Sequence, residues 1–217
     1  MDSQQNRNLI IPEIDWVLNE AYELFVKMVA FPRVSDVLGF EKSQRNIDDI
    51  RPLVINADCV DVTNNIATLP VDYWHFLSAQ VEMTKGECSA VKGRVHIKQH
   101  DDEFEESVFD KSSFEWRAVN GVFNEDGVKL HTDGTFTIDS FCLNYIKKLA
   151  YIHNASGYNV AGYNTPSGTL LTGTVNCELP DHTHREIVDI AVLITTGEIS
   201  PSDYQVKAAK LLMNKIN

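Results

Sequence analysis

Leu77-Ser78-Ala79-Gln80-Val81-Glu82-Met83-Thr84, followed beyond a Lys85-Gly86 turn signal by Val91-Lys92-Gly93-Arg94-Val95-His96-Ile97-Lys98, decides how this chain is read. Leu77, Ala79, Val81 and Met83 alternate with polar residues, and so do Val91, Val95 and Ile97. Successive side chains of a strand point to opposite faces, so this period predicts half-buried antiparallel strands. The same alternation recurs at Phe114, Trp116 and Ala118, at Val128 and Leu130, at Phe136 and Ile138, and at Phe141, Leu143 and Tyr145. Asn120-Gly121, Asp126-Gly127 and Asp133-Gly134 punctuate these runs as turn signals. A short helix from Asp101 to Phe109 interrupts them, with Phe104 and Val108 as its buried side.

On either side the period becomes helical. Pro12 suits the first helical position, and Ile14, Val17, Leu18, Ala21, Leu24, Phe25 and Met28 form one apolar stripe that must end before Pro32. A shorter helix spans about Ser43 to Ile50 and is closed by Pro52. After Pro180, Asp181 caps a helix bearing Ile187, Ile190, Ala191 and Ile194, with Gly197 just past its end. The last helix starts at Ser200 with Pro201 and Asp203 behind it, and its stripe is Tyr204, Ala208, Leu211 and Leu212. This order predicts an α+β fold, the N- and C-terminal helices packed together with a central antiparallel β-rich insertion. The domains expected are a helical part over 1–52, a β-rich domain over 53–180, and C-terminal helices over 181–217.

The chain has 217 residues, enough to bury a sizeable core without staples. Its 31 acidic and 19 basic residues give a net charge of -12, which argues against a surface dedicated to gripping nucleic acid. Residues 61–110 hold 10 of the acidic groups and only 4 basic ones. Cys59, Cys88, Cys142 and Cys177 form no C-x-x-C pair, and are expected as free, buried thiols in a reducing compartment. The polar residues 1–8 are followed by no apolar leader, and no apolar run approaches the ~18 residues that cross a bilayer, so a chain made soluble in a cytoplasm is expected.

Catalytic signatures are absent. Neither G-x-G-x-x-G, nor G-x-x-x-x-G-K-[ST], nor G-x-S-x-G occurs, which leaves no phosphate cradle and no nucleophile elbow, and no cofactor is expected. A Ser/His/Asp triad assembled from distant residues stays open, making a hydrolytic enzyme on a β scaffold the alternative function. His182 and His184 lie two apart; on a helix they point in nearly opposite directions and cannot share one ion, whereas in an extended segment they would share a face. The helical reading predicts no metal. Asp101, Asp102, Glu103, Glu105 and Glu106 lack the glycine and ligand spacing of a calcium loop and read as a solvated helix face. Tyr73, Trp74, Trp116, Tyr151, Tyr158 and Tyr163 fall in or near presumed loops, either as interface anchors or as rings closing the β core.

Phe40 to Leu53, Leu69 to Tyr73 and Glu178 to Val192, taken together and in this order, resemble segments of the ring proteins of crAss-like phages, virion subunits of the neck and tail barrel. Phe40 to Leu53 is similar to that family's F-x-x-x-Q-R-x-x-D-D-L-x-P-L helix, Leu69-Pro70-Val71-Asp72-Tyr73 to its L-P-x-D-Y turn, and Glu178 to Val192 to its E-L-P-x-x-x-H-x-E-I-V-x-x-A-V helix entry. Weaker likenesses are His100 to Glu103 and Tyr145 to Lys148; after the latter basic pair the family usually has proline, where this chain has Leu149. The resemblance runs in order from about Ile14 to Gln205. It implies a non-enzymatic subunit of a homo-oligomeric ring, a dodecamer, in the head-to-tail connector or tail barrel of a tailed phage, made in the host cytoplasm and located in the virion. The partners implied are copies of the chain, neighbouring rings, the portal or tail proteins, and DNA passing through without specific binding, with no membrane. Arg45, Asp48, Asp49, Arg51, Asp72, Tyr73 and Trp74 are then the assembly-interface candidates. The acidic residues Asp101, Asp102, Glu103, Glu105 and Glu106 are candidates for the channel wall, where like charge keeps a polyanion from sticking.

Overall fold

A computed structural model describes residues 9–31, 48–99, 111–165 and 167–199. The chain divides into two compact units, Val54–Lys148 and the combination of Met1–Leu53 with Leu149–Asn217.

Val54–Lys148 is a closed β-barrel. Its strands are β1 (Val54–Thr63), β2 (Ile66–Ala67), β3 (Tyr73–Thr84), β4 (Val91–Ile97), β5 (Ala118–Asn124), β6 (Gly127–His131) and β7 (Thr137–Lys147). The order around the barrel is β1-β2-β6-β5-β4-β3-β7, with β7 returning to β1. Every pair is antiparallel except β4 with β5, which runs parallel in the register Arg94↔Ala118 to Ile97↔Gly121. Ala79, Val81, Met83, Val95, Val119, Leu130, Phe141 and Leu143 are among the buried side chains of its core. The barrel corrects the expected fold class: the chain is mostly β, built on a closed seven-stranded barrel with the helices in the other unit, and not terminal helices packed around a central antiparallel β-rich insertion. Alternation marks which face of a strand is buried and says nothing of closure. Here β1 pairs on both sides, with β2 and with β7, so that no edge is left open.

The alternation holds where the ladder is regular and shifts at bulges. Ala79, Val81 and Met83 face inward, but Leu77 is 41% exposed because the β3–β7 register slips between Phe76 and Ser78. Ile138 and Phe141, three apart, are both buried on the single strand β7, and a second slip opposite Glu82 and Met83 accounts for the change of phase. Asn120-Gly121, expected as a turn, lies inside β5, where the Asn120 N–H donates to Ser112 Oγ. The Phe114-to-Arg117 segment is itself a turn, closed by the Arg117 N–H on the Phe114 carbonyl, and it leaves Trp116 85% exposed. Gly93 faces inward because a Cβ there would lie 2.5 Å from Met83 Cε and 3.0 Å from the Arg117 carbonyl oxygen.

The expectation of four free, buried thiols is corrected in part: Cys88 and Cys177 are free but not buried, and the other two are bonded. Cys59 and Cys142 stand opposite each other across β1 and β7, with Cα atoms 3.9 Å apart, and are joined in a disulfide. Cys88 is exposed and Cys177 half-buried. Linear spacing, 83 residues here, cannot reveal a pair made by strand register.

The other unit contains α1 (Ile11–Ala30), α2 (Ala155–Tyr158), α3 (Asp181–Ile199) and the short strands β8 (His153–Asn154), β9 (Tyr163–Asn164), β10 (Leu170–Leu171) and β11 (Thr174–Val175). Helices α1 and α3 lie against each other. The buried face of α1 carries Asp15, Val17, Asn19, Ala21, Tyr22, Phe25 and Val26, while Ile14 and Leu24 of the expected stripe are exposed. Helix α3 continues through Gly197 rather than stopping before it, and buries Ile187, Ile190 and Ala191. Most of the expected Ser43-to-Ile50 helix, the Asp101-to-Phe109 helix and the helix after Ser200 lie outside the described residues.

Candidate assembly surfaces

Strand β8 pairs with β11, and β9 with β10, as two nested rungs of one interrupted hairpin. Between the rungs, α2 begins behind Asn154, whose side-chain oxygen accepts the Gly157 N–H, and the Ser156 N–H donates to the Gly173 carbonyl. Gly162, at φ +81°, is required by close approach: a Cβ there would sit 1.9 Å from the Leu171 carbonyl oxygen. We call residues 153–175 the arm.

Two polar residues on the buried face of α1 hold the root of the arm. Asp15 accepts the Asn154 N–H at 2.9 Å and the Tyr163 hydroxyl at 2.7 Å, both through Oδ2. One turn on, Asn19 clamps Ile152 at both backbone groups: its Oδ1 accepts the Ile152 N–H at 2.8 Å and its Nδ2 donates to the Ile152 carbonyl at 2.7 Å. Nδ2 donates also to the Asp15 carbonyl at 2.7 Å. Burial and the hydrogen bond to Asp15 push the Tyr163 phenol well above its ordinary range, so it remains a donor. Burial, and more weakly the Asp15 charge, raises Tyr151 as well. Beside this root, Trp16, Asn19, Glu20, Glu23, Leu149 and Tyr151 line a cavity of about 280 Å³.

The residues that carry the arm were hidden in the sequence reading. Asp15 and Asn19 interrupt the apolar stripe of α1 at helical spacing, which is the signal that could have found them. A second signal is the absence of charge. No Asp, Glu, Lys or Arg occurs from Leu149 to Cys177, a 29-residue stretch in a chain that is 23% charged, where about seven would fall at an average composition.

The assembly candidates do not form one site. Arg45 lies outside the described residues. Asp48 and Arg51 pair with each other at 3.3 Å with both side chains mostly exposed. Asp49, only 15% exposed, faces His182 Nε2 at 2.8 Å. The Leu69-to-Tyr73 segment is a turn closed by the Tyr73 N–H on the Pro70 carbonyl. Its Asp72 carboxylate accepts the Tyr145 hydroxyl at 2.8 Å, and its carbonyl accepts the Lys148 N–H. Tyr73 and Trp74 open β3 and are half-buried. The Tyr73 ring packs against Phe123 and Tyr145, and burial raises its phenol pKa; the Trp74 ring lies 4.4 Å from that of His75. The five acidic channel candidates, Asp101, Asp102, Glu103, Glu105 and Glu106, lie outside the described residues.

His184 Nε2 lies 3.0 Å from the Leu179 carbonyl, away from the Asp49 partner of His182, so the two rings serve different neighbours. Among the described residues no three His, Cys, Asp or Glu side chains gather as a metal site, and no helix is long and apolar enough to cross a membrane. No protein family matches the chain, and no curated protein does.

Proposed function

We propose that this protein is a structural virion subunit that assembles into a homo-oligomeric ring in the head-to-tail connector or tail barrel of a tailed phage and forms a conduit for DNA. One observation carries the reading. Among the described residues, fourteen large apolar side chains are exposed, and eleven of them belong to the unit of Met1–Leu53 with Leu149–Asn217. They include Ile10, Trp16, Leu24 and Phe31 on and beside α1, Tyr158, Val160 and Leu170 on the arm, and Val188 and Val192 on α3. Apolar area concentrated on one unit of a strongly charged chain is what a repeated subunit interface requires. The resemblance of Phe40 to Leu53, Leu69 to Tyr73 and Glu178 to Val192 to ring proteins supplies the kind of assembly.

The ring is a non-enzymatic dodecamer that stacks on the portal or on neighbouring rings. Some of the acidic residues Asp101, Asp102, Glu103, Glu105 and Glu106 are proposed for the wall of the bore, where like charge would repel phosphate and let duplex DNA pass. Electron microscopy of the purified protein, alone and with neighbouring tail proteins, tests this. Closed rings that do not retain duplex DNA at physiological salt, and that acquire salt-sensitive DNA binding when these five residues are replaced by lysine, are the expected result. Rings carrying all five on the outer surface would remove the channel-wall role, and tight DNA binding by the unmodified ring would contradict the electrostatic argument.

A further inference from the structure

The arm is largely exposed and carries no Asp, Glu, Lys or Arg, and it presents apolar side chains at Val160, before β9, and at Leu170, in β10. Of the 22 described residues of the arm, 16 are exposed, approaching the ~20–30 residues that each side of a stable interface engages. Val160 is 98% exposed and Leu170 60%. Charged side chains lie mostly at the surface, and two copies of a chain of net charge -12 repel each other on balance. A charge-free arm is the part of one copy that approaches another without that penalty. The groove lined by Trp16, Leu149 and Tyr151 offers a receptor of mixed lining: these three supply its apolar part, Asn19 is among its polar residues, and Glu20 and Glu23 would repel an acidic visitor but not this one.

We propose that Val160 and Leu170 of one copy's arm seat in the Trp16–Leu149–Tyr151 groove of the next copy. The inference rests on the ring reading and gives it a mechanism. Arm and groove are different surfaces, so the contact is heterologous, and a heterologous contact repeated by rotation closes a ring. The buried Asp15 and Asn19 hydrogen bonds then have a purpose, since an arm held by its root loses less entropy on docking.

Three versions of the full chain test it: wild type, an arm variant (Val160→Asp with Leu170→Asp) and a groove variant (Trp16→Glu), each sized by mass photometry and checked by circular dichroism. Wild type is expected as a closed multimer. Each variant alone should be a folded monomer, its half-assembly concentration raised about a hundredfold or more by a carboxylate placed in an apolar contact. Mixed, the two variants should give a one-to-one complex and nothing larger, because only one competent arm meets one competent groove. An arm variant that still assembles like wild type overturns the arm contact and leaves the ring reading standing; a wild-type chain that stays monomeric at every concentration overturns both. Should a variant fail to fold, a photoreactive benzoylphenylalanine in place of Val160 in the otherwise native chain reads the same contact. Cross-links to the Trp16 peptide of another copy support it, and cross-links confined to other segments or to a different protein refute it.

Discussion

Replacing Asp15 by alanine should release the arm. The carboxylate is 4% exposed, sits on the buried face of α1, and accepts two hydrogen bonds from chain more than a hundred residues away, the Asn154 N–H and the Tyr163 hydroxyl. A hydrogen bond to a charged acceptor contributes about 1.5–3 kcal/mol, and a buried donor left without a partner costs a further ~1–3 kcal/mol. Asn154 is itself exposed, so water reaches part of the vacated site, and the net cost is placed at about 2–4 kcal/mol. That cost should appear first as local opening. Hydrogen exchange at the Asn154 and Ser156 amides should accelerate by at least ~30-fold, the equivalent of about 2 kcal/mol, while amides in the β3–β7 ladder keep their protection. Asn19→Ala, which frees both backbone groups of Ile152, should open the same root. If Asp15→Ala leaves exchange at Asn154 unchanged, or accelerates barrel amides equally, the claim that these bonds fix the arm is wrong.

The Cys59–Cys142 disulfide closes a loop across 83 residues of sequence, so loop-closure entropy predicts that reduction, or Cys59→Ser with Cys142→Ser, lowers barrel stability by up to ~4.5 kcal/mol; urea unfolding with and without dithiothreitol reads the loss. Gly93→Val drives branched carbons toward Met83 Cε and the Arg117 carbonyl, and should cost about 1–3 kcal/mol or more in thermal unfolding, with Gly93→Ala intermediate. Glu115 is held at a pKa of about 2, first by the Lys85 ammonium 2.6 Å away and then by its backbone and Ser113 hydrogen bonds. A depressed folded pKa gives a contribution that is present above the unfolded carboxylate value and lost as pH falls through about 2, so the Glu115 carboxylate resonance should titrate near the lower value, and salt or Lys85→Met should move it upward.

What the sequence disclosed depended on whether the controlling contacts are local. Ala79, Val81, Met83, Leu130, Phe141 and Leu143 are buried where a period of two places them, because each strand senses only which of its faces meets a core. Closure was invisible, since β1 gains its two neighbours from β2 and β7, and the latter lies more than eighty residues along the chain. Gly93 and Gly121 are inward positions without a side chain, so neither shows in an apolar pattern, and Asn120-Gly121 reads from sequence as a turn. The disulfide is likewise a product of register. On α1, treating only apolar residues as buried rotated the predicted face, because Asp15 and Asn19 point inward to serve the arm. The arm itself had no motif; its mark is the missing charge between Lys148 and Glu178, a property of a 29-residue stretch rather than of any residue in it.

On the reading proposed above, copies of this chain form a closed ring. The mass of the full chain, measured by native mass spectrometry over a wide concentration range, tests it most directly. A single species at one integer multiple of 24.5 kDa, dominant over a broad range of concentration and without a ladder of intermediate sizes, is the prediction for a ring that closes. A monomer throughout, or an open series growing with concentration, would contradict it.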